Sequence, residues 1–246
     1  MEKRATVIDS IRQANPNVLL LDAGDLFSSR PQPWRNQHIV EAYRLMHYNG
    51  IALGEKDFVE GPEFLMSRLF ALGNILNTNI QFLGLTFGQP YKIFTFDSVK
   101  IGVTAIFDSS LAGLVWIKSK GKFVFKNPEP GLKEVLPRLK KECDFIILLA
   151  HGNLTQMRKF VNRFPEINLV VNGHSQQLLE QPILDGNTYF LQTDGEAYRL
   201  GKATLRFREG HLISLKNEMI LLDDSIPNHP KMMELIRLYR FGQKKK

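Results

Sequence analysis

The chain has 246 residues, 43% of them hydrophobic and 10% aromatic, enough to bury a large apolar core in a single domain spanning residues 1–246. Its longest uninterrupted apolar run, Phe145 to Ala150, is far shorter than the ~20 residues that cross a bilayer, and no apolar signal core follows the charged start at Met1 to Arg4. The net charge of +7 suits an anionic partner, but the cations are dispersed, gathering only at Lys118, Lys120, Lys122 and Lys126 and at Lys244 to Lys246, which read as solvated loop and tail. No basic patch interleaved with aromatics is present, so nucleic acid is not the expected partner. The lone cysteine, Cys143, excludes an internal disulfide and reads as buried filler between a helix and a strand.

In chain order, Val7, Ile11 and Ala14 predict a first helix, and the short apolar run Val18 to Leu21 predicts a strand covered on both faces. Ile39, Tyr43 and Met46 predict a second helix. The period then changes: Tyr91 to Phe96 and Lys100 to Phe107 read as closely spaced strands. Leu132, Val135, Leu136 and Leu139 mark a helix before the buried strand Phe145 to Leu149. Leu154, Met157, Val161 and Phe164 mark another before Leu169 to Val171. Thr188 to Gln192, Lys202 to Arg208 and His211 to Leu222 are further strands, the last two joined by a turn at Glu209-Gly210, and Lys231 to Tyr239 closes the chain as a helix. Together these predict an α/β fold, a two-sheet sandwich flanked by helices with a more antiparallel second half.

Three of the apolar strands run into possible metal ligands: Leu21 leads to Asp22 and Asp25, Ala150 to His151, and Val171 to Asn172, His174 and Gln176. In layered α/β folds ligands collect at the carboxyl ends of strands, so residues distant in sequence converge on one sheet edge. Carboxylate, imidazole and amide oxygen without thiolates suit a divalent ion such as Zn, Mn or Fe. Each residue alone has a structural explanation: Asp25 capping a turn, His151 hydrogen-bonded in the core, Asn172-Gly173 forming an ordinary turn. Their shared position after strands favours a common site. His38, His47, His211 and His229 read as structural or exposed, and Trp34 as a core candidate.

Asp22-Ala23-Gly24-Asp25, Ala150-His151-Gly152 and Gly173-His174-Ser175-Gln176 resemble, in the same order, the Gly-Asp, isolated-His and Gly-His-x-Gln motifs of the calcineurin-like metallophosphoesterases. Asn77-Thr78-Asn79-Ile80, Pro90-Tyr91, Val99 to Val103 and Gly186-Asn187-Thr188 are similar to the 5'-nucleotidase branch of that family. The resemblance covers roughly residues 4–222 and implies a four-layer α/β/β/α sandwich of two mixed sheets flanked by helices. It further implies one or two divalent ions, with Asp25 as the bridging ligand, His151 and His174 on one ion and Gln176 on the other. A small phosphorylated substrate, with nucleotides as candidates, and a periplasmic or extracellular location follow from the same resemblance.

The chain departs from the family pattern at Leu53 to Gly61. Glu55 replaces a metal-binding asparagine and retains a carboxylate for a cation. Lys56 replaces the histidine that stabilises the transition state, and Val59 replaces the aspartate that orients it. Lys56 and Asp57 are the catalytic candidates of this segment. Lys56 either offers a point charge to a phosphate oxygen or lies where a metal would go, paired with Glu55 or Asp57. A lysine does not readily repeat the proton transfer of a histidine near neutral pH, so altered or reduced hydrolysis is expected. No Asp-x-His motif occurs, which favours one ion over two, and no nucleotide-binding C-terminal domain follows Leu222. The alternatives are a non-catalytic binding or interaction domain of a larger protein, and structural metal binding without hydrolysis.

Overall fold

A computed structural model describes residues 1–113, 115 and 121–243, so Lys118, Lys120 and Lys244 to Lys246 lie outside the described residues. The principal helices are α1 (Glu2–Ala14), α2 (Pro33–Met46), α3 (Pro128–Glu142), α4 (Leu154–Val161) and α5 (Pro230–Gln243). The strands are β1 (Leu21–Asp22), β2 (Gly50–Ile51), β3 (Ile80–Phe82), β4 (Leu85–Thr86), β5 (Tyr91–Phe96), β6 (Val99–Phe107) and β7 (Phe123–Phe125). They continue with β8 (Phe145–Gly152), β9 (Leu169–His174), β10 (Ile183–Asp185), β11 (Thr188–Leu191), β12 (Arg199–Arg208) and β13 (His211–Leu221).

Side-chain alternation organises the centre of the fold. Strand β8 is buried along its whole length. Ile146, Leu148 and Ala150 point one way, into a cluster with Leu132, Leu136 and Leu139 of α3 and Leu154, Met157 and Val161 of α4. Phe145, Ile147 and Leu149 point the other way, into a cluster that takes in Leu21, Ala52, Leu76 and the hairpin residues Leu205, Phe207, Leu212 and Leu215. A continuous apolar run is therefore two apolar faces interleaved. Around β8 the sheet order is β10-β11-β9-β8-β6-β5. The strands β11, β9, β8 and β6 are parallel to one another, and the outer strands β10 and β5 are antiparallel to their neighbours. Beyond the second cluster lie β1 paired with β2, and the β12–β13 hairpin, then helices α1, α2 and α5 around Ile8, Val40, Tyr43, Met46 and Met232. Helix, sheet, sheet, helix is the four-layer sandwich expected. The β12–β13 turn sits at Glu209 (φ 50°) and Gly210 (φ 78°), the left-handed pair that matches the twist of a tight hairpin.

Two elements differ from expectation. Helix α1 buries Arg4, Ala5 and Ile8 rather than Val7, Ile11 and Ala14. The Arg4 guanidinium donates to the Tyr48 hydroxyl at 3.3 Å, and its stem carries the turn of helix that faces the core. The first strand is confined to Leu21–Asp22, because Leu20 N–H is taken by the Asn49 side chain at 2.8 Å before the parallel ladder with β2 begins. Cys143 is half-buried at the end of α3. Among the described residues no helix is long and apolar enough to cross a membrane.

Candidate metal centre

The carboxyl ends of β1, β8 and β9 reach the same edge. The ladder of β8 and β9 sets His151 opposite Gly173 and Gly152 opposite His174, so the two imidazoles are fixed by strand register. Their rings meet edge to face at 5.4 Å. After β1 the chain turns sharply, with Gly24 at φ 96° and Asp25 at φ 67°. His174 is also left-handed, at φ 78°. A non-glycine residue rarely adopts this conformation, and such strain persists only where the surroundings enforce it, commonly at functional sites.

Asp57 enforces the first turn. Its carboxylate is fully buried and accepts the N–H groups of Asp25 at 2.9 Å, Leu26 at 2.7 Å and Gly54 at 2.8 Å. It thereby ties the turn after β1 to the segment after β2. Burial and the neighbouring Asp25 charge push the Asp57 carboxyl up to about 7, against the backbone donor that favours its ionised form. Tyr43 and Gly24 hold Asp22 in a similar manner: the tyrosine hydroxyl donates to Oδ2 at 2.7 Å and the Gly24 N–H to Oδ1 at 2.9 Å. Asp22 is thus committed to the fold. So is Asn172, whose buried amide donates to the carbonyls of Gly152 and Gly173 and to Gln192.

Asp25, Glu55, His151 and His174 come together, each offering an atom so that all four atoms lie within 4.8 Å of one another. His151 is fully buried and stacks parallel on Phe107. Its Nδ1 lies 2.7 Å from the Ala23 carbonyl oxygen and must carry the proton of that bond. In the neutral ring Nε2 is then a bare lone pair, and it faces Glu55 Oε2 at 2.8 Å and Asp25 Oδ1 at 3.6 Å. His174 Nδ1 lies 3.2 and 3.3 Å from the two Glu55 oxygens. Acceptors gathered this closely require a cation among them, a proton or a metal ion. Burial lowers His151, but its bond to Glu55 and the charges of Asp25 and Glu55 outweigh burial and raise it. Burial raises the Glu55 carboxyl, and His151 and His174 overcome this, holding it at about 2. A carbonyl-oriented imidazole beside carboxylates and a second imidazole is the donor chemistry of a divalent-ion site, so the residues fit such an ion.

Three glycines leave room for this packing. A Cβ at Gly24 would lie 2.7 Å from His151 Nδ1, at Gly54 2.5 Å from His151 Cε1, and at Gly173 3.0 Å from His151 Nδ1. Lys56 Nζ pairs with Asp25 Oδ2 at 2.6 Å, so in the alternative in which the lysine lies where a metal would go, its partner is Asp25 and not Glu55 or Asp57. Burial lowers the Lys56 amine, and Asp25 more than compensates, raising it. Gln176 is exposed, with its amide over Gly195, where an added Cβ would meet Gln176 Cδ at 2.7 Å. The Ala23 carbonyl and the Tyr43 hydroxyl are contributors the motifs did not single out. A backbone acceptor carries no sequence signal, and Tyr43 read as an apolar helix position.

No family profile matches the chain. Human 5'-nucleotidase is 27% identical over 266 residues, an alignment covering 96% of this chain and 46% of that protein. The chain therefore spans about half the length of the curated relatives it matches. Among solved structures, a Thermus thermophilus sulfate thiohydrolase, SoxB, superposes with a TM-score of 0.86 at 16% identity, covering 99% of this chain and 47% of its own. The calcineurin-like phosphoesterase YfkN from Bacillus subtilis superposes at 0.79 and 19% identity, covering 98% and 88%.

Proposed function

For a chain that resembles the 5'-nucleotidases along nearly its whole length and has the fold of the calcineurin-like metallophosphoesterases, we propose hydrolysis of phosphate esters at a divalent-ion centre held by Asp25, Glu55, His151 and His174. The observation that carries this reading is the aim of His151: Ala23 holds its Nδ1, and Nε2 points at two carboxylates inside a cluster of four donors. A divalent ion bound there would polarise a phosphate oxygen and lower the pKa of a bound water. The protein's own part is positioning and charge. Side-chain exposure rises from 0% at His151 through 12% at Asp25 to 29% at His174, so a substrate approaches from the His174 side. Lys56, 27% exposed and paired with Asp25, can donate to a phosphate oxygen as a point charge. Asp57 acts as a positioning residue through the Asp25 turn. Gln176, exposed two residues beyond His174, enters this reading as a contact for the substrate and not as an ion ligand. A small phosphomonoester, with nucleotides as the first class to try, is the substrate, and the place of action is outside the cytoplasm.

The Lys56–Asp25 ion pair favours a second reading, a domain of the same fold kept for binding, because that pair occupies part of the charge a catalytic centre would use. Elemental analysis of the purified protein, paired with hydrolysis of an aryl phosphate with and without added manganese, separates the two. Bound metal with manganese-dependent turnover supports hydrolysis. Absence of both metal and turnover sinks it in favour of the binding domain.

A further inference from the structure

Lys56 grips both oxygens of Asp25. Its ammonium pairs with Oδ2 at 2.6 Å, and its backbone N–H donates to Oδ1 at 3.0 Å. Oδ1 also faces the interior of the cluster, 3.6 Å from His151 Nε2. A carboxylate bridges two cations by turning one oxygen to each, and here one oxygen already faces a cation belonging to the chain. The four donor atoms within 4.8 Å describe room for one ion of tetrahedral type. Glu55 is likewise committed inward, bound by His151 and His174. Gln176, the other residue expected near a second ion, has its amide packed over Gly195.

We infer that Lys56 is a built-in cation that caps the outer oxygen of Asp25 and restricts the centre to a single divalent ion. The inference rests on the metal-centre reading above and adds what Lys56 does there. An ammonium is a compact, strongly hydrated charge with three donors, so it satisfies Asp25 Oδ2 and keeps two N–H groups for solvent or an incoming anion. It supplies positive charge beside the first ion without needing ligands of its own. The cost is repulsion: an ion on Asp25 Oδ1 sits close to a like charge, which weakens its hold.

Metal-free protein titrated with manganese(II), followed by calorimetry and by electron paramagnetic resonance, tests this directly. The unsubstituted protein is expected to take one equivalent and to give the spectrum of an isolated ion; two equivalents, or the spectrum of a coupled pair, overturns the inference. Lys56→Met, of similar length and uncharged, is expected to bind the first ion roughly tenfold more tightly because the repulsion is gone, whereas Lys56→Arg retains the charge and the original affinity. Unchanged or weaker binding in Lys56→Met overturns the role given to the lysine, and the unsubstituted titration stands as a test even if that variant does not fold. Uptake of no manganese at all would sink the metal-centre reading itself, and the cap with it.

Discussion

His174 is the most exposed member of the cluster, while His151 is sealed beneath it. That difference separates metal binding from folding. His174→Ala removes a donor at the rim, leaves little buried space, and is expected to lower bound manganese below half an equivalent and to abolish any manganese-dependent phosphatase activity. Chelator-treated protein should unfold in urea within about 0.5 kcal/mol of the unsubstituted chain, as for a change away from the core. A large loss of stability without metal would instead make His174 a structural residue. Asp57 predicts the opposite pattern. Three backbone N–H groups depend on its oxygens, and Asp57→Asn turns an amide donor toward some of them, so a loss of about 2–4 kcal/mol is expected in metal-free urea unfolding. The gathering of Asp25, His151 and His174 was legible in the sequence because strand ends converge in layered α/β folds, whereas Glu55 was legible only through the family resemblance at Leu53 to Gly61. The partner of Lys56 and the engagement of Asp57 were not. Both depend on the left-handed turn at Asp25 (φ 67°), which rotates that carboxylate toward the backbone of the next segment, and no spacing rule encodes that rotation.

At the scale of elements, legibility followed length and period. Strand β8 and helices α3 and α4 were readable because each buries a long apolar face. Short pieces such as β2, β3, β4, β7 and β10, of two or three residues each, carry too few side chains for a period to show. Around β3 and the chain after β7, buried asparagines hold the backbone instead. Asn79 is 2% exposed; its amide donates to the carbonyls of Phe107 at 2.8 Å and Lys126 at 2.7 Å and accepts the Phe107 N–H at 2.9 Å. It thus joins the end of β6 to the approach of α3. In the same turn, Asn77 accepts the N–H groups of Asn79 and Ile80. These asparagines entered the sequence reading as part of a family-like stretch, and their physical work is to satisfy backbone groups where the ladders stop. Asn79→Ala leaves Phe107 with an unpaired buried N–H and C=O, and a loss of about 3 kcal/mol is expected in urea unfolding. A loss below about 1 kcal/mol would mean that water or a shift of the chain takes over those groups.

For the whole molecule, the centre is assembled from the turn after β1, the segment after β2 and the ends of β8 and β9, which belong to both sheet layers. An ion bound there holds the layers together only in the folded state, because the unfolded chain scatters residues 25, 55, 151 and 174. Binding and stability are therefore linked. Manganese at 100 times its dissociation constant should stabilise the fold by about 2.7 kcal/mol. In a domain of this length that corresponds to a rise in Tm of roughly 5–10 °C, readable by calorimetry and reversible by chelator. His151→Ala should remove the rise, because it deletes the one donor aimed from the buried side, and should also lower the metal-free Tm through the cavity left against Phe107. The two effects are separable by comparing each protein with itself, with and without metal. A manganese-dependent rise that persists in His151→Ala would locate the ion elsewhere on the molecule. A rise lost in His151→Ala and retained in Lys56→Met would assign the interlayer bond to the cluster and leave Lys56 as its modulator.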